Sequence, residues 1–178
     1  SYVIRSAIEP IEYKKREGKT KLIYTSTPWR GLDLLLDSFE LLNRDDVELD
    51  IYSSTIIYGD DFYAKDYQEF KDMFERAKSM KNVNYHGYAS NEDIRTALQS
   101  AHIFSYPNNF EETSCLSMIE AGAAGCQMVA THYGVLPETS NGWANLVPLK
   151  SDRAGMAKAF TEALDYAIDN RNEDILKK

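Results

Sequence analysis

The sequence predicts an α/β fold, a doubly wound parallel sheet of the Rossmann-like type in a single domain. Short apolar runs rich in Ile, Val, Tyr and Phe alternate about six times with longer segments of helical period. Parallel strands need crossover connections, and right-handed crossovers place their helices on both faces of the sheet. With 178 residues and 43% hydrophobic content, the chain can bury one substantial core.

The strand candidates are short runs enriched in β-branched and aromatic side chains. They lie at 21–25, 47–52 together with 56–58, 83–86, 102–106, 127–131 and 145–147. The helix candidates between them repeat apolar residues at intervals of three and four. They lie at 32–42, 67–77, 92–99, 114–124 and 154–168. Residues 1–19 are poorer in apolar side chains and are predicted to be a linker-like lead-in, so the domain covers residues 20–178.

The net charge of −8 disfavours nucleic acid and anionic lipid as partners of this domain, because both select basic surfaces. No stretch approaches the ~20 apolar residues of a membrane span, and residues 1–19 lack the apolar centre of a signal peptide. The sequence therefore predicts a cytoplasmic location. Cys115 and Cys126 stand among apolar or small residues, which favours reduced core thiols over a disulfide or a metal site.

Motifs of several enzyme classes are missing from the sequence. It contains no GxGxxG or GxxxxGK[ST] phosphate loop, no HExxH or CxxC metal motif and no GxSxG nucleophile elbow. A dehydrogenase-type cofactor domain is therefore disfavoured. Asp60 and Asp61 are interpreted as a solvated turn rather than a cation site, and His86 and His132 as packing or turn residues rather than bases.

The segment 107–125 is the main candidate for a ligand site. In a doubly wound sheet, ligands bind beyond the carboxyl ends of the strands, where loops lead into helices. Thr113 or Ser114 is expected to cap the next helix, whose first amides can hold a phosphate or pyrophosphate. Glu120, about two turns in, can then reach a ribose, while Glu112 faces the group beyond the phosphate. On spacing alone, a surface glutamate and a helix glutamate paired with Lys or Arg explain the pattern equally well.

Four stretches, taken in order, resemble one known family. They are YTSTPWRGLDLLLDSFELL, IIYG, VNYHGYASNEDIRTALQSAHIFSYP, and FEETSCLSMIEAGAAG followed by QMVATHYGVLPE, with two glutamates spaced as Glu-x7-Glu. The family is the retaining glycosyltransferases of the GT-B fold, family 4 or glycosyl transferases group 1. The likeness is to their C-terminal, donor-binding domain. It covers about residues 20–170, nearly the whole chain.

The resemblance implies catalytic roles for two residues. Glu112 matches the glutamate that contacts the transferred sugar. Arg30, the basic residue that precedes a glycine at the start of the first helix, would neutralise charge on the departing diphosphate. Glu120 matches the glutamate that hydrogen-bonds the ribose of the nucleotide. Stabilising the leaving group is the main electrostatic task, because the sugar carbon becomes cation-like as its bond to phosphate lengthens.

The resemblance also implies a donor-binding set. Its members are Glu120, Thr113, Ser114, Cys115, Leu116, Gly31, Gly87 and Tyr88. The amides of Cys115 and Leu116 would hold the pyrophosphate, and residues 87–91 would lie along the base. Two departures stand out: Thr25 occupies a position where many members have a second arginine, and residues 113–115 replace the common Gly-Phe-Gly.

The implied function is that of a donor domain. It would bind a nucleotide-sugar for a retaining, hexosyltransferase-type enzyme that transfers a sugar to a hydroxyl acceptor in polysaccharide, glycolipid or glycan synthesis. The family needs no metal and no cofactor. Acceptor binding belongs to an N-terminal Rossmann domain, expected elsewhere in the same protein, so the isolated domain is expected to be inactive and not to contact membrane itself. The alternative is a non-enzymatic Rossmann-like interaction or regulatory module.

Overall fold

The centre of the molecule is a six-stranded sheet. A computed structural model describes residues 6–56 and 60–171, and for residues 60–67 it describes the backbone alone. The strands are β1 Thr20–Thr25, β2 Val47–Tyr52, β3 Val83–Tyr85, β4 Ile103–Tyr106, β5 Gln127–Thr131 and β6 Ala144–Val147. All neighbours pair in parallel, in the order β3-β2-β1-β4-β5-β6. This order confirms the predicted doubly wound, Rossmann-like sheet.

The two central strands are buried on both faces. In β1, Leu22, Ile23 and Tyr24 have no exposed surface, and all four residues of β4 are buried. Strands of a parallel sheet that are covered on both sides form continuous apolar runs rather than alternating ones, as these two do. The loops that follow β1 and β4 therefore start from the most rigid part of the fold.

Six helices cover the sheet. They are α1 Leu32–Leu42, α2 Asp60–Ser79, α3 Asn91–Ser100, α4 Leu116–Ala123, α5 Leu136–Ser140 and α6 Arg153–Asp169. Helices α1 and α6 pack on each other, and the buried Ser38 hydroxyl donates to the carbonyls of Leu34 at 2.8 Å and Ala157 at 3.3 Å. Across the described part of the chain, no helix combines the length and apolarity needed to cross a membrane.

Two local predictions were wrong. Helix α4 begins at Leu116 with Cys115 as its N-cap, so neither Thr113 nor Ser114 caps it. The Cys115 side chain is 2% exposed, and its burial in the core, rather than a hydroxyl cap, accompanies the start of the helix. Helix α5 forms in a stretch predicted to be loop because Leu136 is fully buried there, with a proline in the first turn. The predicted strand 56–58 lies largely outside the described residues.

Residues 6–19 form no helix or strand, but they are bound to the domain surface. The Arg16 guanidinium is buried and donates to the carbonyls of Gly125 at 2.9 Å, Leu98 at 3.3 Å and Ala124. These carbonyls lie at or just beyond the ends of α3 and α4, where a cation is also favoured by the helix dipole. Gln99 donates to the Glu12 carbonyl at 2.9 Å.

Replacing Arg16 should therefore destabilise the domain. Arg16→Met keeps an apolar stem but leaves buried carbonyls without their donor, and the expected loss of unfolding free energy is about 2–4 kcal/mol. Urea denaturation measures it. The control is Lys15→Ala, whose side chain is 74% exposed and pairs only with exposed Glu17 within the described residues. An unchanged urea midpoint for Arg16→Met would show that residues 6–19 contribute nothing to the fold.

Candidate functional site

The candidate site lies where the sheet changes direction. From β1 the chain continues to β2 on one side, and from β4 it continues to β5 on the other, which leaves a crevice between the carboxyl ends of β1 and β4. A cavity of about 240 Å³ opens there. Four of the predicted site residues line it: Arg30, Gly87, Tyr88 and Glu120. Gly31, Glu112 and residues 113–116 lie beside or beneath it.

The loop after β1 places Arg30 at the cavity. The Tyr24 hydroxyl donates to the carbonyls of Thr27 at 2.7 Å and Arg30 at 3.3 Å, which fixes the loop. Gly31 is the N-cap of α1 with φ 88°, and a Cβ at this position would lie 2.0 Å from the Pro107 carbonyl oxygen. Only glycine fits both the left-handed backbone and this approach. Among the described side chains that line the cavity, Arg30 alone is cationic.

Glu112 lies beneath Arg30 rather than in the cavity. Its side chain is 4% exposed, and Arg30 Nη1 approaches its Oε1 at 3.3 Å. The Tyr106 hydroxyl donates to the same oxygen. The Phe110 ring lies 5.1 Å from the Arg30 guanidinium on another side. Arg30 is therefore within reach of a buried carboxylate, an aromatic face and the cavity at once.

The loop that carries Glu112 is fixed from several sides. Asn108 is fully buried and closes a turn, accepting from the Phe110 amide at 3.0 Å and donating to the Phe110 carbonyl at 2.7 Å. The Thr131 hydroxyl donates to the Asn108 carbonyl. Gly134 lies against the Glu112 backbone, where an added Cβ would be 3.3 Å from the Glu112 nitrogen. The position of Glu112 is thus set by β4, β5 and their loops together.

Glu120 lines the opposite side of the cavity on α4. Its side chain is 22% exposed, and Arg95 Nη1 of α3 lies 3.8 Å from its Oε1. Burial raises the pKa of the Glu120 carboxyl above its ordinary value, and Arg95 opposes this shift. Both predicted glutamates therefore have an arginine partner, as the alternative interpretation expected, but both pairs lie at the crevice rather than on an open surface.

The first residues around α4 are arranged differently from expectation. Ser114 donates to the Ser6 hydroxyl at 2.9 Å, and Leu116 is 49% exposed. Cys115 is buried, and burial raises the pKa of its thiol to about 12. Ser117 is the residue of this turn that lines the cavity, and its hydroxyl donates to the Thr25 carbonyl at 2.9 Å. Its spacing of three from Glu120, which puts both on one helix face, was the signal that could have identified it.

An aromatic wall closes the side of the cavity near β3. Gly87 has φ 72°, and the next residue, Tyr88, is 59% exposed at the cavity mouth. Tyr52, which was not among the residues predicted from sequence, also lines the cavity and stacks on His86 with ring centroids 4.3 Å apart. His86 Nε2 lies 3.0 Å from Asp50 Oδ1. Its position at the end of β2 was the available signal for Tyr52, because strand ends meet at this edge.

The described side chains offer no ready metal site. No group of three or more His, Cys, Asp or Glu residues among them is placed to hold a metal ion. The side chains of Asp60 and Asp61, interpreted from sequence as a solvated turn, lie outside the described residues.

Comparison with known proteins gives a consistent result. A model of the family described as glycosyl transferases group 1 matches residues 8–175. Over 172 residues the chain is 26% identical to a human protein, the first-lettered subunit of phosphatidylinositol N-acetylglucosaminyltransferase, with 93% of this chain and 33% of that protein covered. This chain therefore spans about a third of the length of that relative.

Solved glycosyltransferase structures share the fold. The pneumococcal O-GlcNAc transferase GtfA, in complex with UDP and GlcNAc, matches with a TM-score of 0.64 and 14% identity over 94% of this chain and 33% of its own. HepE of Anabaena, in complex with UDP-glucose, matches with a TM-score of 0.60 and 17% identity over 89% of this chain and 44% of its own. These likenesses confirm the predicted fold, that of one Rossmann-like half of a GT-B glycosyltransferase.

The burial of Glu120 predicts a pH effect on stability. A folded-state pKa that is raised means that the folded protein binds the Glu120 proton more tightly than the unfolded chain does. The resulting stabilisation is fully present below the unfolded value of about 4.3 and is lost as pH rises through the folded value. Glu120→Gln removes this titration while keeping the shape of the side chain. The variant should be at least as stable as the wild type at neutral pH, with a flatter dependence of stability on pH.

Urea denaturation at a series of pH values measures this effect. Glu162→Gln is the matched control, because Glu162 is 68% exposed on α6 and approaches Lys158 only at 4.0 Å. A loss of more than about 1 kcal/mol in Glu120→Gln at neutral pH would mean that the pair with Arg95 outweighs the cost of burying the carboxylate.

Proposed function

Because the chain belongs to the glycosyl transferases group 1 family, we propose that it binds the donor nucleotide-sugar of a retaining glycosyltransferase. The observation that supports this most is the convergence of Arg30, Ser117 and Glu120 on one cavity at the crossover point of the sheet. An arginine, a helix start and a carboxylate in that order match a diphosphate followed by a ribose.

In the proposed complex, the diphosphate lies between Arg30 and the start of α4. The guanidinium offers a planar fork of donors, and the first turn of a helix provides amides without intrahelical partners. Glu120, one turn beyond Ser117, accepts hydrogen bonds from the ribose hydroxyls. The base lies against Gly87 and Tyr88, with the aromatic side chain of Tyr88 available for stacking.

The transfer step requires charge stabilisation at the leaving group. The bond from the sugar carbon to the phosphate oxygen breaks, its electrons remain on the diphosphate, and an acceptor hydroxyl supplies the new oxygen. Arg30 is placed to neutralise the diphosphate, and Glu112 to contact the sugar once Arg30 turns towards phosphate. As the family resemblance implies, no metal or cofactor takes part in this proposal.

We further propose that an N-terminal Rossmann domain elsewhere in the same protein supplies the acceptor site, so this domain alone is inactive. The proposed enzyme is a cytoplasmic hexosyltransferase that builds a polysaccharide, glycolipid or glycan. The human relative, named for transfer to phosphatidylinositol, supports a glycolipid among these acceptors. Membrane contact is assigned to other parts of the protein, since this chain has a net charge of −8.

Nucleotide binding tests the proposal directly. UDP is the first probe because two structural relatives are complexes with UDP or a UDP-sugar. The chain should bind UDP with a Kd in the range of about 1 μM to 1 mM, measured by calorimetry or amide chemical shifts. Glu120→Gln should raise the Kd at least about tenfold, because charged hydrogen bonds to the ribose are weakened.

Two controls accompany this measurement. Glu162→Gln, on the far helix α6, should leave the Kd unchanged. GDP and ADP extend the series, since the base is not fixed by the residues that meet the diphosphate and ribose. If neither UDP nor these nucleotides perturbs the amide spectrum, the proposed function is wrong and the interaction-module alternative stands.

A further inference from the structure

Three polar side chains meet beneath the cavity, and one of them has no role in the proposed function so far. Glu112 Oε1 accepts from the Tyr106 hydroxyl and lies 3.3 Å from Arg30 Nη1. The Tyr106 oxygen also lies 3.3 Å from the Ser26 hydroxyl, which lines the cavity. Tyr106 therefore connects the buried carboxylate with the cavity wall.

The Tyr106 hydroxyl occupies a fixed position. Tyr106 is the last residue of the central strand β4 and has no exposed surface. Its ring centroid lies 5.4 Å from that of Phe104 and 5.9 Å from that of Tyr24, in tilted arrangements typical of aromatic packing. Burial raises the pKa of this phenol well above its ordinary value, so it stays protonated and acts as a donor to the carboxylate.

Glu112 needs a second donor if Arg30 is to bind phosphate. In the structure, Arg30 and Tyr106 share the same carboxylate oxygen. When Arg30 turns towards a diphosphate, it leaves a carboxylate that is only 4% exposed. A buried carboxylate without a donor is costly, and a donor on a rigid strand keeps both its charge and its direction.

We propose that Tyr106 is a positioning residue that holds the Glu112 carboxylate in place for the donor sugar while Arg30 is engaged by the diphosphate. This inference rests on the proposed function. It assigns Tyr106 to the sugar half of the donor site and leaves the nucleotide half to Glu120 and the residues around it.

The first test compares UDP with UDP-sugars in the full chain. UDP-glucose and UDP-N-acetylglucosamine are the probes, and the sugar that improves binding over UDP in the wild type is used in the variant. Tyr106→Phe should change the UDP Kd by less than about twofold but remove most of the gain due to the sugar. Equal weakening of UDP and UDP-sugar, or an unchanged gain, overturns the proposal.

A second test needs no ligand. The Nε–Hε signal of Arg30 in a nitrogen-15 spectrum reports the carboxylate beside it, and Glu112→Gln should shift it. Tyr106→Phe should shift the same signal, since the carboxylate loses its fixed donor. An Arg30 signal that responds to Glu112→Gln but not to Tyr106→Phe contradicts the proposal. Ser38→Ala, which removes a buried hydroxyl between α1 and α6, is the control and should leave the signal unchanged.

The two tests separate the possible failures. If the wild type binds none of these probes, the proposed function fails, while the Arg30 signal still decides whether Tyr106 positions Glu112. If Tyr106→Phe does not fold, the Tyr106 hydroxyl proton is observed in the wild type and in Glu112→Gln. A proton signal that does not move between those two proteins overturns the proposal, and one that moves supports it.

Discussion

The backbone contact between the loops after β1 and β4 determines the geometry of the site. Gly31 lies against the Pro107 carbonyl so closely that any side chain would overlap it. Because of this contact, Arg30 from one loop and Glu112 from the other are only 3.3 Å apart. The two strands are neighbours in the middle of the sheet, but their connections run to opposite sides. The fold therefore supplies the crevice, and a single glycine allows the two loops to meet above it.

The electrostatics of the site follow from pairing within the protein. Arg30 lies beside Glu112, and Arg95 lies beside Glu120, so each carboxylate at the crevice has its own cation. These contacts keep charged groups near a cavity where burial disfavours charge. A diphosphate that binds Arg30 must compete with Glu112, and this competition makes the buried hydroxyl of Tyr106 valuable.

Much of the fold could be predicted from the sequence because its strands are apolar runs and its long helices have clear periodicity. The β5 bounds were predicted in full, and α1 was predicted at 32–42 as found. The start of α4 was not, because hydroxyl residues at 113 and 114 signal a cap locally while the burial of Cys115 depends on distant parts of the core. The contacts of Arg16 were also hidden, since they form with carbonyls that are 82 to 109 residues away in the chain. Ser117 and Tyr52 were missed because the motif drew attention to its glutamates.

The guanidinium of Arg95 has two attachments. Its Nη2 donates to the carbonyls of Glu9 and Pro10 at 2.9 and 2.7 Å, while its Nη1 faces Glu120. One side chain thus joins the leading segment of the chain to the carboxylate at the cavity. Thermodynamic coupling through a shared group is reciprocal. A ligand that draws Glu120 away from Arg95 alters how firmly the leading segment is fastened, and tension on that segment is felt in turn at the cavity.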